Sequence, residues 1–294
     1  MLRWCPNFPF ALALALLVST AHAEKTPATA PKKTGTTGTS PTVPATTPAV
    51  ILSLAAEEMI HASKEDAISV PTPGELLAAL NKQGKPNWQS QYRQPIPTAY
   101  SSRPQIALNL GGLIADGYIA IEAEDSQQVK NIGKDIIGLA KSLNVSENVL
   151  RRGKSIEEFA DNNEWNTLKE ELEATQNEVK LTMNDQQDRD LVVLVTLGGW
   201  IRGTEVISGW IADNYSPTAA KLLRQPEVVA LLKTGLDRLP EKLQSDPLIQ
   251  TLHQNLGQIQ TMVSFPRDTA PSLEEVKKLK AATSELVAQI VTKK

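Results

Sequence analysis

The chain has 294 residues, of which 41% are hydrophobic and 21% charged, and its formal charge is −3. That composition supports a packed core, and without a basic stripe for phosphate it argues against nucleic-acid binding. The lone cysteine, Cys5, lies near the start, so disulfides, thiolate metal sites and a cysteine nucleophile are not expected.

The N-terminus has the layout of a secretory signal peptide. Arg3 precedes an apolar run from Phe8 to Val18, and Ala21-His22-Ala23 offers small residues two apart, so residues 1–23 are expected to be removed. The run is shorter than the ~20 residues a bilayer span needs. No stable membrane span is therefore expected after cleavage, and the protein is expected to be periplasmic or secreted. Residues 24–49 carry five prolines, nine threonines and Val43 as their one large apolar side chain. Such a segment buries too little surface to offset its ordering entropy and reads as a disordered leader.

From residue 50 to 294 the pattern is that of a single all-helical domain. Thr72-Pro73-Gly74-Glu75 combines a capping box with proline at the first helical position, and Ser155-Ile156-Glu157-Glu158 and Ser272-Leu273-Glu274-Glu275 repeat the box. Ser216-Pro217 and Asp246-Pro247 are further starts. Apolar residues between them recur by three and four, as at Trp165, Leu168, Leu172, Thr175 and Val179, and no segment alternates as a strand would. The spacing predicts helices over 50–64, 73–83, 103–124, 127–144, 147–162, 164–186, 188–214, 217–224, 226–239, 247–264 and 273–292. Residues 84–104 are irregular, with Trp88, Tyr92 and Tyr100 available to pin them to the helices. The fold class is therefore all-α, a bundle or array of roughly ten helices.

A weak internal repeat lies at its centre. Leu108-Asn109-Leu110-Gly111-Gly112-Leu113-Ile114 aligns without gaps on Val195-Thr196-Leu197-Gly198-Gly199-Trp200-Ile201. Each block continues as an apolar helix and reaches a serine, Ser126 or Ser216, read as the cap of a second helix. The pattern suggests a duplicated helix hairpin over 103–144 and 188–239. Paired glycines inside a helix cost about 1 kcal/mol each against alanine, which fits the close approach of another backbone. Lying mid-helix, they do not suit a phosphate-cradling loop.

Both central helices are apolar around most of their circumference but carry a polar stripe: Asn109 and Asp116 on the first; Arg202, Glu205, Gly209 and Asp213 on the second. A charge there needs a partner, and Arg202 is expected to pair with Glu205 and Asp116. Asp116, Arg202 and Glu205 are also the candidate ligand-binding residues, since a guanidinium suits carboxylate or phosphate.

No metal, cofactor or catalytic site is expected. Glu58-Met59-Ile60-His61 gives one Glu-x-x-His unit where helical di-iron sites use two, and no Gly-x-Ser-x-Gly elbow is present. Asn144-Val145-Ser146 and Asn214-Tyr215-Ser216 match glycosylation sequons, but both serines fall where a helix begins. The last helix joins an apolar seam to Lys277, Lys278 and Lys280, a core-facing stripe with solvated lysines rather than a membrane face. The expected function is that of a non-enzymatic exported protein that binds a protein partner or acts as a scaffold. The alternative is a small-molecule binding protein with an anion site between the repeated hairpins, and a hydrolase-like enzyme comes third.

Overall fold

The computed structural model describes residues 69–293. The signal sequence, the leader, the helix expected over 50–64 and His61 lie outside the described residues. Within them every regular element is helical: α1 (Pro73–Asn81), a 3-10 turn (Trp88–Gln91), α2 (Arg103–Glu122), α3 (Ser126–Ser142), α4 (Ser146–Asp161), α5 (Trp165–Asp185) and α6 (Arg189–Asp213). There follow α7 (Pro217–Ala220) with a 3-10 turn (Lys221–Leu223), α8 (Pro226–Asp237), α9 (Glu241–Gln244), α10 (Pro247–Met262) and α11 (Leu273–Val291). The described residues are thus all-α, with about ten helices.

Capping fixes most of the starts. Thr72 and Glu75 close a capping box on α1, and Ser272 and Glu275 do the same on α11. Asp246 accepts from the amides of Leu248 and Ile249, with Pro247 at the first position of α10. Two expected caps fall elsewhere. Ser155 lies inside α4, where Ser-x-x-Glu arises from the polar face of a running helix. Ser126 is the first residue of α3, and Asp125 is its cap, accepting from Gln128 N at 2.9 Å.

Four successive connections share one design. Between α2 and α6 each helix joins the next through three residues, the middle one left-handed: Glu124 (φ 54°), Asn144 (φ 63°), Asn163 (φ 59°) and Gln187 (φ 61°). The following amide bonds back to a carbonyl of the last turn, as in Asp125 N to Ala120 O (3.1 Å) and Asp188 N to Met183 O (2.8 Å). These are Schellman closures, which satisfy the orphan carbonyls and reverse the chain at once. The chain therefore zigzags through α2, α3, α4, α5 and α6, and neighbours in sequence pack side by side.

Four passes bring α6 back beside α2 in the same direction, and this pair makes the most extensive helix contact in the described residues. Arg103 meets Asp188 at one end (2.5 Å), and Asp116 meets Arg202 further along (2.8 Å). The glycines let the backbones touch between those points. A Cβ added to Gly111 would stand 1.9 Å from Val195 O, and one added to Gly198 would stand 2.0 Å from Leu108 O. Both helices are buried on nearly all sides, with α11 packed along α6, α3 and α5 against α2, and α1 across both. Among the described residues α6 is the one helix long and apolar enough to cross a membrane, and 78% of that stretch is buried in this fold.

Candidate functional site

The polar stripe of α2 divides between two tasks. At its start, Gln105 Nε2 donates to Ile290 O (2.9 Å) and Thr292 O (2.8 Å), and Asn109 Nδ2 also donates to Ile290 O (2.9 Å). Tyr100 Oη donates to Val291 O (3.1 Å), so the carbonyls that end α11 find partners on α2 and the segment before it. Asn109 is therefore tied to the end of a helix and stands apart from the charges.

Two turns on, Asp116 accepts Arg202 Nε on Oδ1 (2.8 Å) and Arg93 Nε on Oδ2 (2.7 Å). Arg202 Nη1 donates to Glu205 Oε2 (2.7 Å), and Nη2 donates to the carbonyl of Gln91 (2.6 Å). The side chains of Arg202, Asp116, Glu205 and Arg93 are 6%, 10%, 17% and 19% exposed. Two cations and two anions are thus enclosed as a neutral group, which is how a buried charge becomes tolerable. Burial alone would lower the Arg202 pKa. The carboxylates of Asp116 and Glu205 outweigh it and hold the guanidinium more firmly protonated than usual.

The structure therefore brings together all three residues singled out from sequence, Asp116, Arg202 and Glu205, and every nitrogen of Arg202 already donates to the protein. Arg93 and the Gln91 carbonyl are the members the sequence did not reveal. Both come from the irregular stretch between α1 and α2, where Trp88 and Tyr100 are buried as anchors. Arg93 Nη2 also lies 2.6 Å from Asp116 Oδ2 without donating a hydrogen bond. It passes 3.2 Å from where a Cβ of Gly112 would stand, so the second glycine of that pair makes room for a guanidinium.

Arg93 and Asp116 line an open groove of about 520 Å³, and Arg202 and Glu205 do not. One wall is residues 92–96, and the other is α3, through Gln128, Asn131, Lys134 and Asp135. Ile96, Leu113 and Ile132 give it an apolar floor. Lys134 and Asp135 make no hydrogen bond or ion pair among the described residues, and partial burial raises the Asp135 pKa. Tyr92 Oη donates to Asp125 Oδ2 (3.3 Å), and burial, reinforced by that carboxylate, pushes its pKa up as well. Among the described residues no three His, Cys, Asp or Glu side chains gather as metal ligands would. Compared with protein-family models, curated proteins and solved structures, the chain matches none.

Proposed function

We propose that this protein is exported, is not an enzyme, and works by recognising a protein partner in the groove between residues 92–96 and α3. The observation that carries the reading is the contrast between two neighbouring sets of charges. Arg93, Asp116, Arg202 and Glu205 are ion-paired with one another, whereas Lys134 and Asp135 line an open groove with no ion pair among the described residues. The first set stiffens a frame, and the second is available to a ligand. Gln94, Gln128 and Asn131 add amides above an apolar floor, a lining that suits a peptide segment with both main-chain polarity and apolar side chains. Export rests on Arg3, the Phe8–Val18 run and Ala21-His22-Ala23.

The same reading takes the central helices as products of duplication. Leu108 aligns with Val195 and Gly111 with Gly198. Gly111 touches Val195 while Gly198 touches Leu108, the reciprocal pattern expected across a two-fold relation. Support for the second helix of each hairpin is weaker, since α3 packs along α2 but α8 meets α6 only lightly.

A photo-crosslinking amino acid placed at Gln128 or Asn131, with exposed Lys242 as control, tests the function in cells that export the chain. The recovered protein should begin at Glu24, and groove positions should form protein adducts that the control does not. Adducts absent from the groove, or equal at all three positions, would sink the reading. A second reading, a small anion held by Arg93 and Lys134, draws on the basic side chains in that lining. It is favoured if native mass spectrometry finds a bound small molecule that Lys134→Ala removes.

A further inference from the structure

The groove wall at residues 92–96 is main chain as much as side chain. Gln94 and Ile96 each precede a proline, which steers them away from helical backbone, and Pro95 and Pro97 hold φ at about −65°. With Tyr92 at φ −65° and ψ 141°, the stretch runs extended. The fold makes no use of its hydrogen bonds. From Arg93 to Ala99 no main-chain N–H donates and no carbonyl accepts among the described residues. The carbonyl that Arg202 takes belongs to Gln91, just before the stretch. Gln94 and Pro95 are exposed, while the Ile96 side chain is buried in the floor.

Such a wall selects among partners. A helix spends its main-chain groups within itself except at its ends, so a helix laid in the groove would cover these N–H and C=O groups without satisfying them. An extended chain carries unpaired groups of its own and can exchange them with the wall, as a strand added to a sheet edge does. The facing wall adds side-chain selection. On α3, Lys134 is exposed and makes no hydrogen bond or ion pair among the described residues. Between the walls Ile96, Leu113 and Ile132 offer an apolar floor. From Gln128 to Asp135 the helix rises about 10 Å, which an extended chain spans in about three residues and a helix in about seven.

Taking the groove as the partner site, we propose that the partner enters it as an extended segment whose main chain hydrogen-bonds to residues 93–96. The segment sets an apolar side chain on the floor and offers a carboxylate to Lys134. Recognition is then strand addition onto a fold with no strand of its own among the described residues. The main-chain bonds hold any extended chain, and the floor and Lys134 choose among such chains.

Photo-crosslinking amino acids placed at Gln128 and at Asp135 of the full-length chain, in cells that export it, report the partner's conformation. Mass spectrometry of the adducts should place the two attachment points in one segment of the partner, about three residues apart. Gln94→Pro, which removes one N–H from the wall, should cut the adduct yield at Gln128 about fivefold, whereas Gln94→Ala, which removes only the side chain, should leave it within about twofold. Lys134→Glu should lower that yield at least as much as Gln94→Pro, and an undiminished yield there would overturn the carboxylate. Attachment points about seven residues apart, or equal yields in Gln94→Pro and Gln94→Ala, would overturn the extended ligand while leaving the groove as a partner site. No adducts at either position would remove the partner site, and the extended ligand with it. Should Gln94→Pro fail to fold, the spacing of the attachment points decides alone.

Discussion

Truncating Arg202 to alanine removes the hub of the charge cluster, and the geometry says what is left behind. Glu205 loses its one ion-pair partner among the described residues while remaining 17% exposed. Asp116 loses one arginine but keeps Arg93 Nε at 2.7 Å, and the Gln91 carbonyl loses its donor. Breaking a buried pair by removing one partner costs about 3–5 kcal/mol. Because Arg93 still covers Asp116, Arg202→Ala should fall at the lower end, about 3 kcal/mol. Asp116→Ala is the worse change, about 4–5 kcal/mol, since it leaves Arg93 without a carboxylate and two cations facing one anion. Glu205→Ala, at the more exposed edge, should cost about 1–2 kcal/mol. Replacing all four charged residues with apolar ones of similar volume should cost less than Asp116→Ala alone, because no uncompensated charge remains. Urea unfolding resolves the order: with a slope of about 2–3 kcal/mol/M, a 3 kcal/mol loss moves the midpoint by roughly 1–1.5 M. An Arg202→Ala midpoint within about 0.3 M of wild type would refute the structural account. If wild type alone then gained thermal stability from a small anion, the cluster would be a binding site instead.

The glycines at the crossing and elsewhere should respond in opposite directions to alanine. Gly111→Ala would put a methyl 1.9 Å from the Val195 carbonyl, so two packed helices must part and the loss should reach at least about 3 kcal/mol. In Gly133→Ala the methyl meets no atom within 4 Å, and the better helix propensity should raise stability by about 1 kcal/mol; equal effects in urea melts would refute the close crossing. The left-handed corners predict gains too. Gln187→Gly and Glu124→Gly should each stabilise by up to about 1 kcal/mol by relieving φ 61° and φ 54°, and a loss in calorimetric Tm at both would contradict those corners.

Helix starts were more legible in the sequence than helix ends. Thr72-Pro73, Ser216-Pro217 and Asp246-Pro247 announce α1, α7 and α10 because a cap oxygen and a preset φ act within a few residues. At the other end, α2, α3, α8 and α10 stop two residues short of the expected 124, 144, 239 and 264. Where the closing residue is Glu124 or Asn144 rather than glycine, its left-handed turn leaves no mark in composition. The short α9, Glu241–Gln244, has no apolar period of its own and was not expected. The candidate site divides in the same way. Asp116, Arg202 and Glu205 stand out because a charge on an apolar helix is conspicuous and because helical spacing joins Arg202 to Glu205. Arg93 lies in a stretch with no period, and its contact with Asp116 spans 23 residues that no local rule connects.

That hidden contact decides what the groove can do. Residues 92–96 belong to no helix, and an extended wall of that kind ordinarily moves. Here it is held at several points: Trp88 and Tyr100 are buried on either side, the Gln91 carbonyl accepts from Arg202, and Arg93 donates to Asp116. The opposite wall is α3, held to α2 by a three-residue Schellman connection. Both walls of the groove are therefore fixed to α2, one through a buried ion pair and the other through a tight turn. A partner entering it would not have to order the walls, so the entropy of fixing a loop drops out of the binding free energy. On the proposed reading the same residues would serve stability and recognition in sequence: Arg202 and Glu205 neutralise the interior, Asp116 passes that hold to Arg93, and Arg93 sets the wall against which a ligand would lie.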